Sequence, residues 1–136
     1  MNHLVITALL LISTSALSQS KENACWKTAM AQSEMNHCAD QDAKAADAEL
    51  NRVYQDLISK TKGDANATKK LRDAQRAWIA FRDAQLDALY PAQDKQREYG
   101  TIYPMCYAIV LTAMTKERTV QLRRMLQDKD PCDIGD

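Results

Sequence analysis

The chain has 136 residues, 46% of them hydrophobic, with 18 basic and 18 acidic side chains and a formal net charge of zero. That length suits one domain. The balanced charge argues against nucleic-acid or anionic-lipid partners, whose non-specific binding feeds on a basic surface.

At the start, Leu4 to Ile12 form an almost unbroken apolar run, and Ser13 to Ser18 turn small and polar. Ala16-Leu17-Ser18 puts small residues at the −3 and −1 positions of a cleavage site before Gln19, so residues 1–18 read as a secretory signal peptide. The run is too short to cross ~30 Å of hydrocarbon, which takes about 20 helical residues. Cys25 follows Lys21-Glu22-Asn23-Ala24 rather than the apolar run, so a lipid anchor is not expected. Residues 19–136 are then a periplasmic or secreted domain without a stable membrane anchor. In that compartment Cys25, Cys38, Cys106 and Cys132 read as two disulfides with three possible connectivities. No Cys-x-x-Cys pair exists and His37 is the only histidine after Gln19, too few ligands for zinc. No motif calls for a cofactor.

Strand signals are absent, and the apolar positions recur at steps of three and four. They predict helices near residues 32–62, 66–90 and 104–127. Glycine and proline mark the breaks: Gly63 divides the first two helices, and Pro91, Gly100 and Pro104 bracket the second connection. Gly63 suits the position after a helix end, and Asp64 or Asn66 can cap the next start. The short link predicts an antiparallel helical hairpin, to which a third long helix is added. The fold class expected is all-α.

Folding that hairpin on paper brings two polar sets into one seam. Asp47 faces Arg82, Asn51 faces Trp78, and Tyr54 faces Gln75, each set on a single helix face. A buried guanidinium needs a partner, and Asp47 is the carboxylate within reach. The seam is read as a structural network that fixes helix register. Catalysis finds little support: there is no glycine-rich loop and no nucleophile–base pair. Glu34 and His37, three residues apart, resemble half of a carboxylate di-metal site whose second half is missing.

The same residues carry a resemblance. Met35-Asn36-His37-Cys38-Ala39, Ala46-Asp47-Ala48-Glu49-Leu50-Asn51-Arg52-Val53-Tyr54 and Ala74-Gln75-Arg76-Ala77-Trp78-Ile79-Ala80-Phe81-Arg82-Asp83 resemble the LprI-like lysozyme-inhibitor domain family, whose pattern closes on a late arginine, here Arg118. The likeness spans Cys25 to Leu126. It implies a small secreted bacterial helical protein, in at least one member an inhibitor of lysozyme, the cationic muramidase of hosts. Where family members often carry cysteines this chain has Leu86 and Val110. The resemblance therefore implies a retained Cys25–Cys38 bond and a separate Cys106–Cys132 bridge tying down the tail.

The function expected is that of a binding protein and not an enzyme, with a protein partner, lysozyme first among the candidates. The alternative is a structural or accessory envelope protein. Two segments offer partner contacts. One is Pro91 to Pro104, with Tyr99 and Tyr103 as anchors. The other is the tail, where Asp128, Asp130, Asp133 and Asp136 outweigh Lys129.

Overall fold

The computed structural model describes residues 24–127; the expected signal peptide, Cys132, Asp130 and Asp133 lie outside the described residues. Five α-helices follow in order: α1 (Ala24–Thr28), α2 (Gln32–Thr61), α3 (Ala65–Leu89), α4 (Lys95–Tyr99) and α5 (Tyr103–Leu126), with a 3-10 turn at Gly100–Ile102 before α5. No strand occurs among them. The three long helices fall within a residue or two of their predicted bounds, because the periodic runs end where the glycines and prolines stand.

Local signals explain the joints. Asp64 caps α3 by accepting hydrogen bonds from the backbone N–H groups of Asn66 and Ala67, both at 2.9 Å. The Thr68 hydroxyl donates to the Thr61 carbonyl at 2.8 Å and locks the turn. Gly63 is not the left-handed residue expected there: Lys62 continues the right-handed conformation, and the positive φ belongs to Gly100, at 69°. Pro104 sits in the first turn of α5, where its missing N–H costs nothing.

The most extensive contact in the molecule is between α2 and α5, not within the predicted hairpin. Its middle is made of small residues. Ala39 and Ala43 of α2 pack on Ala108, flanked by Met105 and Leu111, and buried Thr112, Thr115 and Thr119 continue the α5 face. Small side chains let two backbones approach closely. The threonines are tolerated there because the Thr112 and Thr119 hydroxyls donate to the carbonyls of Ala108 and Thr115, one turn back, at 2.7 and 2.9 Å. Lower down, Leu50, Val53, Leu57, Leu71 and Leu122 join the three long helices in one cluster, with Tyr54, Ile58, Trp78 and Leu126 against it.

Cross-contacts give the directions. Asn36 donates to the Thr101 carbonyl at 2.9 Å, Glu49 meets Arg123, and Lys60 donates to the Leu126 carbonyl at 2.8 Å. Numbers rise together, so α2 and α5 run parallel. Arg118 pairs with Gln75, while Tyr90 packs on Tyr103 and Tyr107, so α3 runs back between the two ends. It buries only Leu71, Gln75 and Leu86.

One disulfide, Cys25–Cys38, is formed among the described residues rather than two, with its Cα atoms 5.6 Å apart. Cys106 carries a half-buried thiol, so the second staple is not part of the described fold.

Candidate interaction surface

The predicted polar seam is split by the structure. Asp47 and Asn51 face solvent, where the Asn51 amide donates to the Asp47 carboxylate at 2.9 Å. Arg82 does not bond to Asp47; its guanidinium pairs with Asp83, its neighbour on α3, at 2.7–2.8 Å. The reason lies in α5. It occupies the alanine face of α2, so α3 can reach only the α2 flank. Asp47, Asn51 and Arg82 therefore line an open groove of about 560 Å³ between α2 and α3, together with Asp40, Lys44, Leu111 and Thr115.

The other half of the seam is a real network with a different partner. Gln75 is buried and its side-chain carbonyl accepts from Arg118 Nε at 3.1 Å, while Arg118 Nη1 donates to Gln121 at 3.0 Å. The Trp78 ring receives two guanidinium groups, Arg82 at 5.3 Å and Arg118 at 5.9 Å from its centroid. Burial pulls the Arg118 pKa down. A half-buried cation without a carboxylate among the described residues is held here by amide oxygens and an aromatic face. Only the closing arginine of the family pattern hinted at it. Tyr54 is half-buried against the leucine cluster.

Tyr99 and Tyr103 belong to a ring cluster with Tyr90 and Tyr107. Tyr90 meets Tyr99 and Tyr103 edge-on at 5.4 and 5.1 Å, and Tyr99 stacks on Tyr103 at 5.8 Å. The Tyr99 hydroxyl accepts from the Ala92 N–H at 3.2 Å. Burial raises the pKa of Tyr90 and Tyr103. The cluster frames the α3–α5 connection, and all four rings are half-buried.

Next to this frame stands a feature that sequence reasoning missed. The start of the described chain folds back on α2 through Cys25–Cys38, and Trp26 Nε1 donates to Asp42 at 2.7 Å. Glu34, read from sequence as half of a metal site, instead accepts from the backbone N–H groups of Met30 and Ala31 at 2.7 and 3.0 Å. Hydrogen bonds from Ala31 and then Met30 hold its carboxyl below the usual range. His37 bonds to Gln41 at 3.0 Å. Among the described residues no three His, Cys, Asp or Glu side chains gather as metal ligands.

Charge is segregated along the long axis. The end with Met30 and the tyrosines carries Glu34, Asp42, Asp87, Asp94 and Glu98 against Lys27, Lys95 and Arg97. There the Lys95 ammonium is engaged by the carbonyls of Tyr90 and Ala92 at 2.6 and 3.2 Å. At the other end a groove of about 580 Å³ is lined by Lys62, Lys69, Arg72 and Arg76 with Asp73 alone opposing them, and Asp73 is already paired to Lys69 and Arg76.

Comparison with known proteins finds the same pattern. The model of the family described as lysozyme inhibitor LprI matches residues 24–122. An uncharacterized protein of Rhizobium meliloti (strain 1021) is 35% identical over 137 aligned positions, covering 92% of this chain and 94% of its own length. No solved structure matches. With its disulfide, its α3 motif and all but the last turn of α5 inside the matched span, the chain belongs to the LprI lysozyme-inhibitor family.

Proposed function

We propose that this protein is an exported binding protein that inhibits a lysozyme or a related glycan hydrolase. The observation that carries the reading is the segregated charge. A molecule neutral overall still offers one carboxylate-rich end to a cationic partner, and complementary patches steer association even between proteins of unfavourable or zero net charge. The Cys25–Cys38 bond supports an extracytoplasmic setting, where such bonds persist. No helix among the described residues is long and apolar enough to cross a membrane.

The test is a cell-wall lysis assay with purified protein and several lysozyme classes. Slowed lysis at micromolar protein, weakening as salt rises from about 50 to 300 mM, is the expected result. Undiminished lysis by every class overturns the reading and leaves an accessory envelope role. Within the inhibitor reading, Tyr99 and Tyr103 form the frame beneath the contact, and Asp130 and Asp133 are proposed as separate acidic contacts of the tail.

A further inference from the structure

Helix α1 places no residue in the core. Five residues cannot hold a helix in water, because nucleation fixes many dihedrals for few hydrogen bonds. Yet α1 and the turn after it are fastened at every step. Cys25 is bonded to Cys38, which is fully buried; Trp26 is tied to Asp42; and the Ala29 N–H donates to the Cys25 carbonyl at 3.1 Å. Glu34 holds the next two backbone N–H groups. Between these ties Met30 projects with 87% of its surface exposed, the most of any large apolar side chain among the described residues. The ties thus order a segment that the core does not use.

A segment ordered in advance has little conformational entropy left to lose on binding. Its tip is an unbranched thioether, which adapts to irregular apolar space and makes favourable contacts with aromatic ring edges. The Glu34 carboxylate lies directly beneath it, and Asp42 stands further along α2 against Trp26. A complementary site is an aromatic-lined cleft with a basic rim. Lysozyme-type clefts have such chemistry, with the acidic catalytic carboxyl set in an apolar pocket against a tryptophan.

We propose that the turn Ala29–Ala31 enters the glycan cleft of a lysozyme-type hydrolase, with Met30 seated on the aromatic wall. This rests on the inhibitor reading above. The frame of tyrosines at the same end then serves as the shoulder that meets the cleft rim.

The experiment compares inhibition constants of the purified protein, Met30→Asp, Met30→Ala and Met125→Ala against the lysozyme class that the unaltered protein inhibits best. Met125 is also exposed but sits at the opposite end of the molecule. Met30→Asp is expected to weaken inhibition by tenfold or more and Met30→Ala by about threefold, with Met125→Ala unchanged. Thermal melting of Met30→Asp should match the unaltered protein, since the side chain touches no core. Equal inhibition by the unaltered protein and Met30→Asp overturns the loop assignment and leaves the inhibitor reading standing. Absence of inhibition by the unaltered protein removes both.

Discussion

The two neighbours of α2 are attached by opposite means. Helix α5 meets it through alanines and threonines, with the Thr112 and Thr119 hydroxyls bonded to carbonyls of their own helix. Helix α3 meets the pair through Leu71 at one end, a glutamine–arginine–tryptophan contact in the middle and tyrosines beyond. One of the three family runs, Ala74 to Asp83, therefore lies on the more loosely attached helix. Close packing of small residues carries the fold, and the polar motif sets where the third helix rests on it.

This contrast predicts a ranking of damage. The largest effect belongs to Leu122→Ala, because Leu122 is 0% exposed where all three long helices meet. Truncation there removes packing and leaves a cavity, and a loss of about 2–5 kcal/mol in urea unfolding is expected. A loss below about 1 kcal/mol would show that α2, α3 and α5 do not share one core.

Next comes Ala39→Leu, which inserts three carbons where α2 and α5 approach through Ala39 and Ala108. Overpacking should cost about 1–3 kcal/mol. The same change at exposed Ala77 on α3 should be nearly silent. If both variants behave alike, the small-residue contact is not the close one.

Gln75→Leu probes the polar middle. It removes the acceptor of Arg118 Nε and leaves a half-buried guanidinium with Gln121 and the Trp78 face. About 1–2 kcal/mol is expected, since a hydrogen bond to a charged group is worth more than a neutral one but Arg118 keeps some water. Adding Arg118→Leu should recover part of the loss, which a double-mutant cycle would measure. Strict additivity would deny the coupling.

The smallest effect is electrostatic. Hydrogen bonding to Arg52 first, then Arg123, lowers the Glu49 pKa from 4.5 to about 2. A pKa below the unfolded value means the contribution is complete above pH about 4.5 and fades as pH falls toward 2. The group is solvated, so screening leaves about 0.5 kcal/mol. Glu49→Gln should therefore cost that about 0.5 kcal/mol at pH 7 and nothing near pH 2, flattening the acid limb of stability between pH 4.5 and 2.

Helix bounds were legible in the sequence because periodic leucines stop at Gly63 and at the Pro91–Pro104 connection. Helix partners were not. Ala39, Ala43 and Ala46 carry no contrast in hydropathy, and Thr112, Thr115 and Thr119 look polar, so the pattern does not announce the α2–α5 face. Without that face the pattern pairs α2 with α3 and puts Asp47 and Asn51 into a seam that they only border. Gln75 and Trp78 meet Arg118 of α5, a partner two helices away in sequence. The Met30 turn gave no signal at all, since its order comes from a disulfide and from the Glu34 carboxylate turning back on the chain.

The parallel course of α2 and α5 has an electrical consequence. Both helices direct their backbone dipoles the same way, so two positive N-terminal ends share the Met30 end and two negative C-terminal ends share the other. Carboxylates such as Glu34 collect at the first, and Lys60, Arg123 and Arg124 at the second, each neutralising the pole it sits on. The result is a helical body with unlike tips in a chain of zero formal charge. At pH 7 and low salt it should be retained by both cation- and anion-exchange resins, a behaviour its net charge alone would forbid.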